Sequence, residues 1–408
     1  MMYDLSKHPY FTEYTDEKSG VKSYVLTERV AELQQQLYFT QQSVTPDGKY
    51  LWVVCSFPPA KYHSMALVSL DPENPFMRHF PHAAFQGGVG IPCITPEGDG
   101  IYIGVGETVY KMDLEGKITP VITLTPEFTH NRQVQRLFTH ASISCDGKYL
   151  VMDMRIGGVW YVGLGDLKTG EIKILNKFGR EYNHAMFSPV DPNLLLIDQD
   201  WWRDFHTGEY MPINNRIWLM DTDRERFEPL MPKEYYARRD SEGAHDYFSA
   251  DGLVCWSDYF HGAYECNVET REVTHVWHRP ICHSHCSADR MMFVGDQSPY
   301  TWKDTPCRTI FYDRKTNKEI DIFSALPYPG HSRYYHYDPH PQFCAGDSIV
   351  VSTTTVMDGR IDVAITPVAP LLEKCRQSGE EITAPEHILG TGPNVHGKTE
   401  KMYERMMT

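Results

Sequence analysis

Gly243-Ala244-His245-Asp246-Tyr247-Phe248-Ser249-Ala250-Asp251-Gly252 decides the reading of this chain. A histidine opens a short apolar run, a serine follows, and Asp-Gly marks a chain reversal before a second apolar run, Leu253 to Tyr259. Gly, and less readily Asp, accept the positive φ that a tight turn demands, so the stretch reads as a β-hairpin. Its register is one key position, three residues, a small residue, then the turn.

That register recurs. The key positions are Gln41, Ile91, His140, His184, His245, His283 and His340, each followed four residues later by Thr45, Thr95, Ser144, Ser188, Ser249, Ser287 or Cys344. Turn residues come next: Asp47-Gly48, Glu97-Gly98, Asp146-Gly147, Asp191-Pro192, Asp251-Gly252, Asp289 and Gly346-Asp347. Successive key positions lie 38 to 61 residues apart. Short strands repeating every ~40–50 residues indicate a β-propeller with one four-stranded blade per repeat. Later strands give a second count of seven, from Ala66-Leu67-Val68-Ser69 through Arg216-Ile217-Trp218-Leu219 to Arg360-Ile361-Asp362-Val363. The expectation is all-β, a single closed seven-bladed β-propeller.

The boundaries follow from where the repeat begins and stops. Residues 1–22 read as a polar lead-in, 23–370 as the propeller and 371–408 as a C-terminal helix and tail. The strand Ser23-Tyr24-Val25-Leu26-Thr27 is expected to become the outer strand of the last blade, which closes the ring and removes exposed edges. The longest interval holds Asp198-Gln199-Asp200-Trp201-Trp202-Arg203-Asp204-Phe205-His206, a packed loop or a wall over the channel mouth.

Composition narrows the function classes. With 41% hydrophobic and 23% charged residues the chain reads as globular, and no apolar run is long enough for a membrane span. The start lacks an apolar signal core, and the ten cysteines show no pairing pattern, so a cytoplasmic protein with reduced thiols is expected. A net charge of −15 argues against nucleic acid or anionic membrane as partners. An acidic substrate would therefore need a local positive site.

Equivalent register positions in a propeller ring the central channel near one mouth. Five of the seven here are histidines, from 19 in the chain. One alone would simply begin a strand; five together read as an active site, imidazole being both the commonest metal ligand and a base near neutral pH. In Cys282-His283-Ser284-His285-Cys286, alternation puts His283 and His285 on one face and keeps the two cysteines from both joining them. A structural zinc would also need a second ligand pair at a characteristic distance. His283 thus reads as a ligand of a channel metal, with His285 its rival. In His331-Ser332-Arg333-Tyr334-Tyr335-His336-Tyr337-Asp338-Pro339-His340-Pro341, His336, Asp338 and His340 share one side of a regular strand, and the prolines mark a strand start or edge. Histidines with a carboxylate suit a divalent ion such as Mn²⁺.

Asn183-His184-Ala185-Met186-Phe187-Ser188-Pro189, Arg216-Ile217-Trp218-Leu219, His245-Asp246-Tyr247-Phe248, His283 through Gly295-Asp296, and His340-Pro341 resemble the oligogalacturonate lyases. The resemblance runs thinly from about Phe11 to about Val368. It implies a seven-bladed propeller enzyme that cleaves short pectin fragments by metal-dependent β-elimination. It places His245 as the base, Arg216 at the substrate carboxylate, and His283 and His340 as metal ligands. The family's further Gln and His are Tyr335 and Asp338 here, so Asp338 is the expected replacement ligand, with His336 available by a small register shift. His140, His184, Arg155, Arg333 and Tyr335 are the remaining expected substrate contacts. The expectation is a lyase for short uronate oligosaccharides using a divalent metal, Mn²⁺ first, with a homodimer as one possible assembly. A lyase or epimerase for another acidic sugar, and a non-catalytic binding propeller, are the alternatives.

Overall fold

A computed structural model describes residues 3–86, 90–200, 202–204, 207–211, 213, 215–231, 243–302, 304–330 and 337–383. Its strands form seven sheets of four or five strands arranged as propeller blades, and a separate two-stranded pair. Blades 1 to 6 use antiparallel strands within residues 33–86, 93–123, 134–178, 182–229, 243–277 and 284–326, the separate pair falling between the second and third strands of blade 4. Blade 7 takes Gln342–Cys344, Ile349–Thr354 and Asp362–Pro367, then accepts Lys22–Leu26 as its fourth strand. The pairs Tyr24↔Ile365 and Val25↔Ala364 fasten the two ends of the chain together.

The seven-bladed propeller is therefore the observed fold, and the strand near residue 23 closes it as expected. Two details differ at the termini. Phe11–Thr15 is a strand, pairing with Lys22–Leu26 as a fifth strand of blade 7, because Phe11 buries while Thr12 and Glu13 face water. The C-terminal helix begins at Val368, directly after the last blade strand, and runs to Ser378 with Val368, Leu371 and Cys375 buried. Beyond it, Glu380–Glu381 pairs with the outer strand of blade 6.

The apolar core lies between blades rather than in one centre. Trp52, Leu67 and Phe80 of blade 1 pack on Ile101 and Ile103 of blade 2. Leu150 and Met152 of blade 3 meet Tyr102 and Val109 of blade 2. Middle strands such as Tyr50–Ser56 are buried on both faces, which is why they read as continuous apolar runs.

The repeated turns hold by local chemistry. In blade 5 the Gly252 N–H donates to Ser249 O, and Gly252 sits at φ +86°, a three-residue loop with glycine in the left-handed region. The Ser249 hydroxyl donates to Asp251 at 2.7 Å and accepts from the Leu253 N–H at 3.0 Å. Thr45 with Asp47, Ser144 with Asp146 and Ser287 with Asp289 repeat the same pair of bonds.

Candidate active site

The opposite ends of those inner strands converge on Tyr38. Blade 1 pairs at Leu33–Gln35 and again at Val44↔Leu51, and residues 36–43 between them make an excursion from the ladder. Gln342 fastens that excursion: its side-chain amide donates to the carbonyls of Leu37 and Tyr38 and accepts from the Ser43 N–H. Tyr38 stacks on His140 (ring centroids 4.5 Å apart, 22° between planes) and meets His340 edge-on at 4.9 Å. Its hydroxyl lies 2.9 Å from His245 Nδ1. Around it the imidazoles adjoin one another: His140–His184 at 4.7 Å, His245–His283 at 3.9 Å and His283–His340 at 4.2 Å. All five register histidines thus meet in one cluster.

Backbone shape aims three of them. His184, His245 and His340 hold φ of +54°, +56° and +47°. The ladder slips at the first two, between Asn183 and Met186 and between Ala244 and Tyr247. These are β-bulges, which re-aim a side chain at a cost in backbone strain. The remaining register positions differ. Gln41 lines a cavity of about 290 Å³ with Met186, Phe187, Phe248 and His285. Ile91 bridges His140 through the backbone. Tyr38, three residues before Gln41, supplies blade 1's side chain to the cluster.

Two donor sets emerge. His283, Asp338 and His340 offer ligand atoms all within 4.8 Å of one another, and so do His245, Cys282 and His283. Asp296, on the second strand of blade 6, organises both. Its carboxylate faces His283 Nδ1 at 3.1 Å and accepts the His283 N–H at 3.0 Å and the His340 N–H at 2.9 Å. A carboxylate on one ring nitrogen leaves the other free to ligate. Burial alone would lower the His283 pKa, but with Asp296 alongside the net shift is well above the ordinary value. The Cys282 thiol joins because the regular strand starts only at Ser284, so alternation does not govern it. Cys286 stays outside the cluster, and His285 turns to Tyr247 and accepts the Phe343 N–H at 3.1 Å.

The donors fit a divalent cation. Two nitrogens and a carboxylate oxygen converge at Asp338, His340 and His283, which are 1%, 7% and 1% exposed. Buried ligands of this mixed nitrogen and oxygen type suit a divalent ion.

Beside this lies a charged group built on blade 4. Arg216, just ahead of the third strand, is bonded to Asp198 at 2.8 Å and to Asp200 at 3.4 Å. Its Nε is buried without a partner among the described residues. Burial opposes the guanidinium charge, but Asp198, Asp200 and Asp246 hold its pKa still higher. Burial raises Asp198 to about 6, with Arg216 opposing, and burial followed by Asp198 pushes Asp246 well above the carboxylate range. His184 faces Asp198 at 3.5 Å, and burial, then Arg216, lowers its pKa. His140 is 3% exposed, so it packs under Tyr38 more than it faces solvent. Arg155 lies over the Trp160 ring at 5.3 Å. His336, Arg333 and Tyr335 fall outside the described residues. In the expected mouth insertion, Asp198 and Gln199 belong to blade 4, while Trp202–Arg203 pairs with Tyr210–Met211.

Sequence reasoning did not single out Tyr38, Tyr259, Cys282, Asp198 or Asp246 for this site, nor Asp296 as its organiser. Tyr259 Oη lies 2.6 Å from His245 Nε2, and Cys282 Sγ 3.8 Å from the same atom. The available signals were the positions of Cys282 and Asp246, each next to a register histidine.

The geometry defines a seven-bladed propeller with a histidine and carboxylate centre at one end of its inner strands. No family model matches the chain, and no curated protein matches it in sequence. Among solved structures, an oligogalacturonate lyase in complex with manganese superposes with a TM-score of 0.71 at 17% identity, covering 88% of this chain and 96% of that one. An oligogalacturonate lyase from Vibrio parahaemolyticus gives 0.70 at 18% identity, with the same coverages. These likenesses establish the fold that the chain shares with those enzymes.

Proposed function

We propose that this protein is a lyase that cleaves short uronate oligosaccharides, of oligogalacturonate type, by β-elimination. The observation that carries the proposal is the meeting of His245 with the His283, Asp338 and His340 donors beside the Arg216 group. A non-catalytic binding or scaffold propeller has no use for such a buried set.

β-Elimination removes the C5 proton, α to the uronate carboxylate, and expels the glycosidic oxygen from C4. The difficulty is the charge that builds on the carboxylate as the proton leaves. His283, Asp338 and His340 would hold a divalent cation, Mn²⁺ being the proposed ion, which when bound would supply Lewis-acid stabilisation of that charge. Arg216 adds a fixed positive group whose position Asp198 and Asp200 set before substrate arrives, and preorganised charge needs no rearrangement during reaction. His245 takes the proton. In the tautomer whose Nδ1–H donates to Tyr38 Oη, the Nε2 lone pair accepts the Tyr259 hydroxyl at 2.6 Å with Cys282 alongside, and substrate would displace that hydroxyl to bring its proton to Nε2. His184, partly open to solvent, and Arg155, with Arg333 and Tyr335, are proposed to contact sugar; His140 supports Tyr38.

Purified protein incubated with di- and trigalacturonate and Mn²⁺ should produce rising ultraviolet absorbance from the 4,5-unsaturated product. No such product across a panel of uronates, with a metal bound, would overturn the reading. Interconverted epimers without chain cleavage would instead indicate an epimerase.

A further inference from the structure

We infer that the same cluster contains a second cation seat, made by His245 Nε2, Cys282 Sγ and His283, which selects thiophilic borderline ions of the Zn²⁺ class. The inference does not depend on the lyase reading. The two seats share His283, so they are mutually exclusive.

Three observations place it. The ligand atoms of His245, Cys282 and His283 lie within 4.8 Å of one another. Cys282 Sγ sits 3.8 Å from His245 Nε2, whereas sulfur and nitrogen ligands on one tetrahedral zinc are about 3.5 Å apart, given bonds of about 2.3 and 2.0 Å. That one edge of the seat would close with a contraction of a few tenths of an ångström, while His283, within 4.8 Å of both, would move further to join them. Finally, both imidazoles are held from behind: His245 by Tyr38 on Nδ1, His283 by Asp296 on Nδ1. Such outer contacts orient a ligating ring and fix which nitrogen faces the metal.

Chemistry separates the seats. Asp338 and His340 bring an oxygen and a nitrogen, suited to a harder ion; Cys282 brings sulfur, which prefers Zn²⁺, Co²⁺ or Cd²⁺ over Mn²⁺. The Thr301 hydroxyl donates to Cys282 Sγ at 3.4 Å and the Cys282 N–H donates to Asp296 O at 2.9 Å, so the sulfur is positioned as well as buried. An ion in this seat occupies His245 Nε2 and removes it from any proton transfer.

The test uses the full chain stripped of metal with chelator, with cobalt and zinc alone as probes. Titration with Co²⁺ should give a near-ultraviolet thiolate-to-cobalt charge-transfer band. Cys282→Ser should lose that band, and Asp338→Asn should keep it. A wild-type protein without the band, or a Cys282→Ser variant that retains it, overturns the inference. Should Cys282→Ser fail to fold, zinc X-ray absorption on the wild-type protein decides the matter. One sulfur scatterer at about 2.3 Å with nitrogen neighbours is expected; a shell of nitrogen and oxygen alone, or more than one sulfur, overturns it.

Discussion

The two ends of the inner strands obey different rules. At the turn end, blades 1, 3, 5 and 6 repeat one arrangement: a Thr or Ser hydroxyl donates to an Asp two residues on and accepts a backbone N–H across the loop. At the other end the blades do not share one arrangement. Blade 1 contributes Tyr38 from an excursion, blades 4 and 5 turn a histidine through a bulge, and blade 6 pairs its histidine with Asp296. Uniformity marks the part of the repeat that folds. Irregularity, with positive φ at bulky residues and buried imidazoles, marks the part available for chemistry.

That contrast can be broken by substitutions at either end, taken from the largest expected effect downward. His245→Ala should lower the elimination rate by about 10²–10⁴-fold, the usual contribution of a positioned base, with the circular-dichroism spectrum unchanged. A wild-type rate would move the proton acceptor elsewhere. Asp296→Asn should weaken Mn²⁺ binding about 10–100-fold in equilibrium dialysis, because a neutral amide orients His283 less well. Unaltered affinity would mean that His283 does not ligate. Tyr38→Phe keeps the ring that packs on His140 but removes the partner of His245 Nδ1. A loss of about tenfold in turnover is expected, matching one hydrogen bond to a group that gains charge. At the turn end, Ser249→Ala should cost about 1 kcal/mol in denaturant unfolding while leaving turnover unchanged. A changed rate at full folding would show that the two ends are not independent.

Much of this was legible before any coordinates. Turn chemistry is local, so Ser249-Ala250-Asp251-Gly252 and its counterparts announce themselves within a few residues. Counting between them yields seven blades, and counting back from them finds His140, His184, His245, His283 and His340. The count failed at Gln41 because it assumed that every inner strand is equally regular, whereas residues 36–43 leave the ladder and deliver Tyr38 instead. Arg216 could be placed ahead of a strand, yet nothing near it in sequence revealed that Asp198 and Asp200 would bind its charge. Asp296 and Cys282 were visible inside or beside motifs without any indication of which atoms they would face.

By itself the sequence determined the number of blades, the closure of the ring through the N-terminal strand, and which histidines share a register. Those properties depend on hydrogen bonds and burial patterns that repeat over a few residues. Only the tertiary structure decided that Tyr38 lies against His245 from 207 residues away, that Asp296 serves two blades, and that a thiol enters the cluster. The reason is physical: such contacts form where blades meet around the channel, and bulges and excursions of a residue or two set which atoms arrive there.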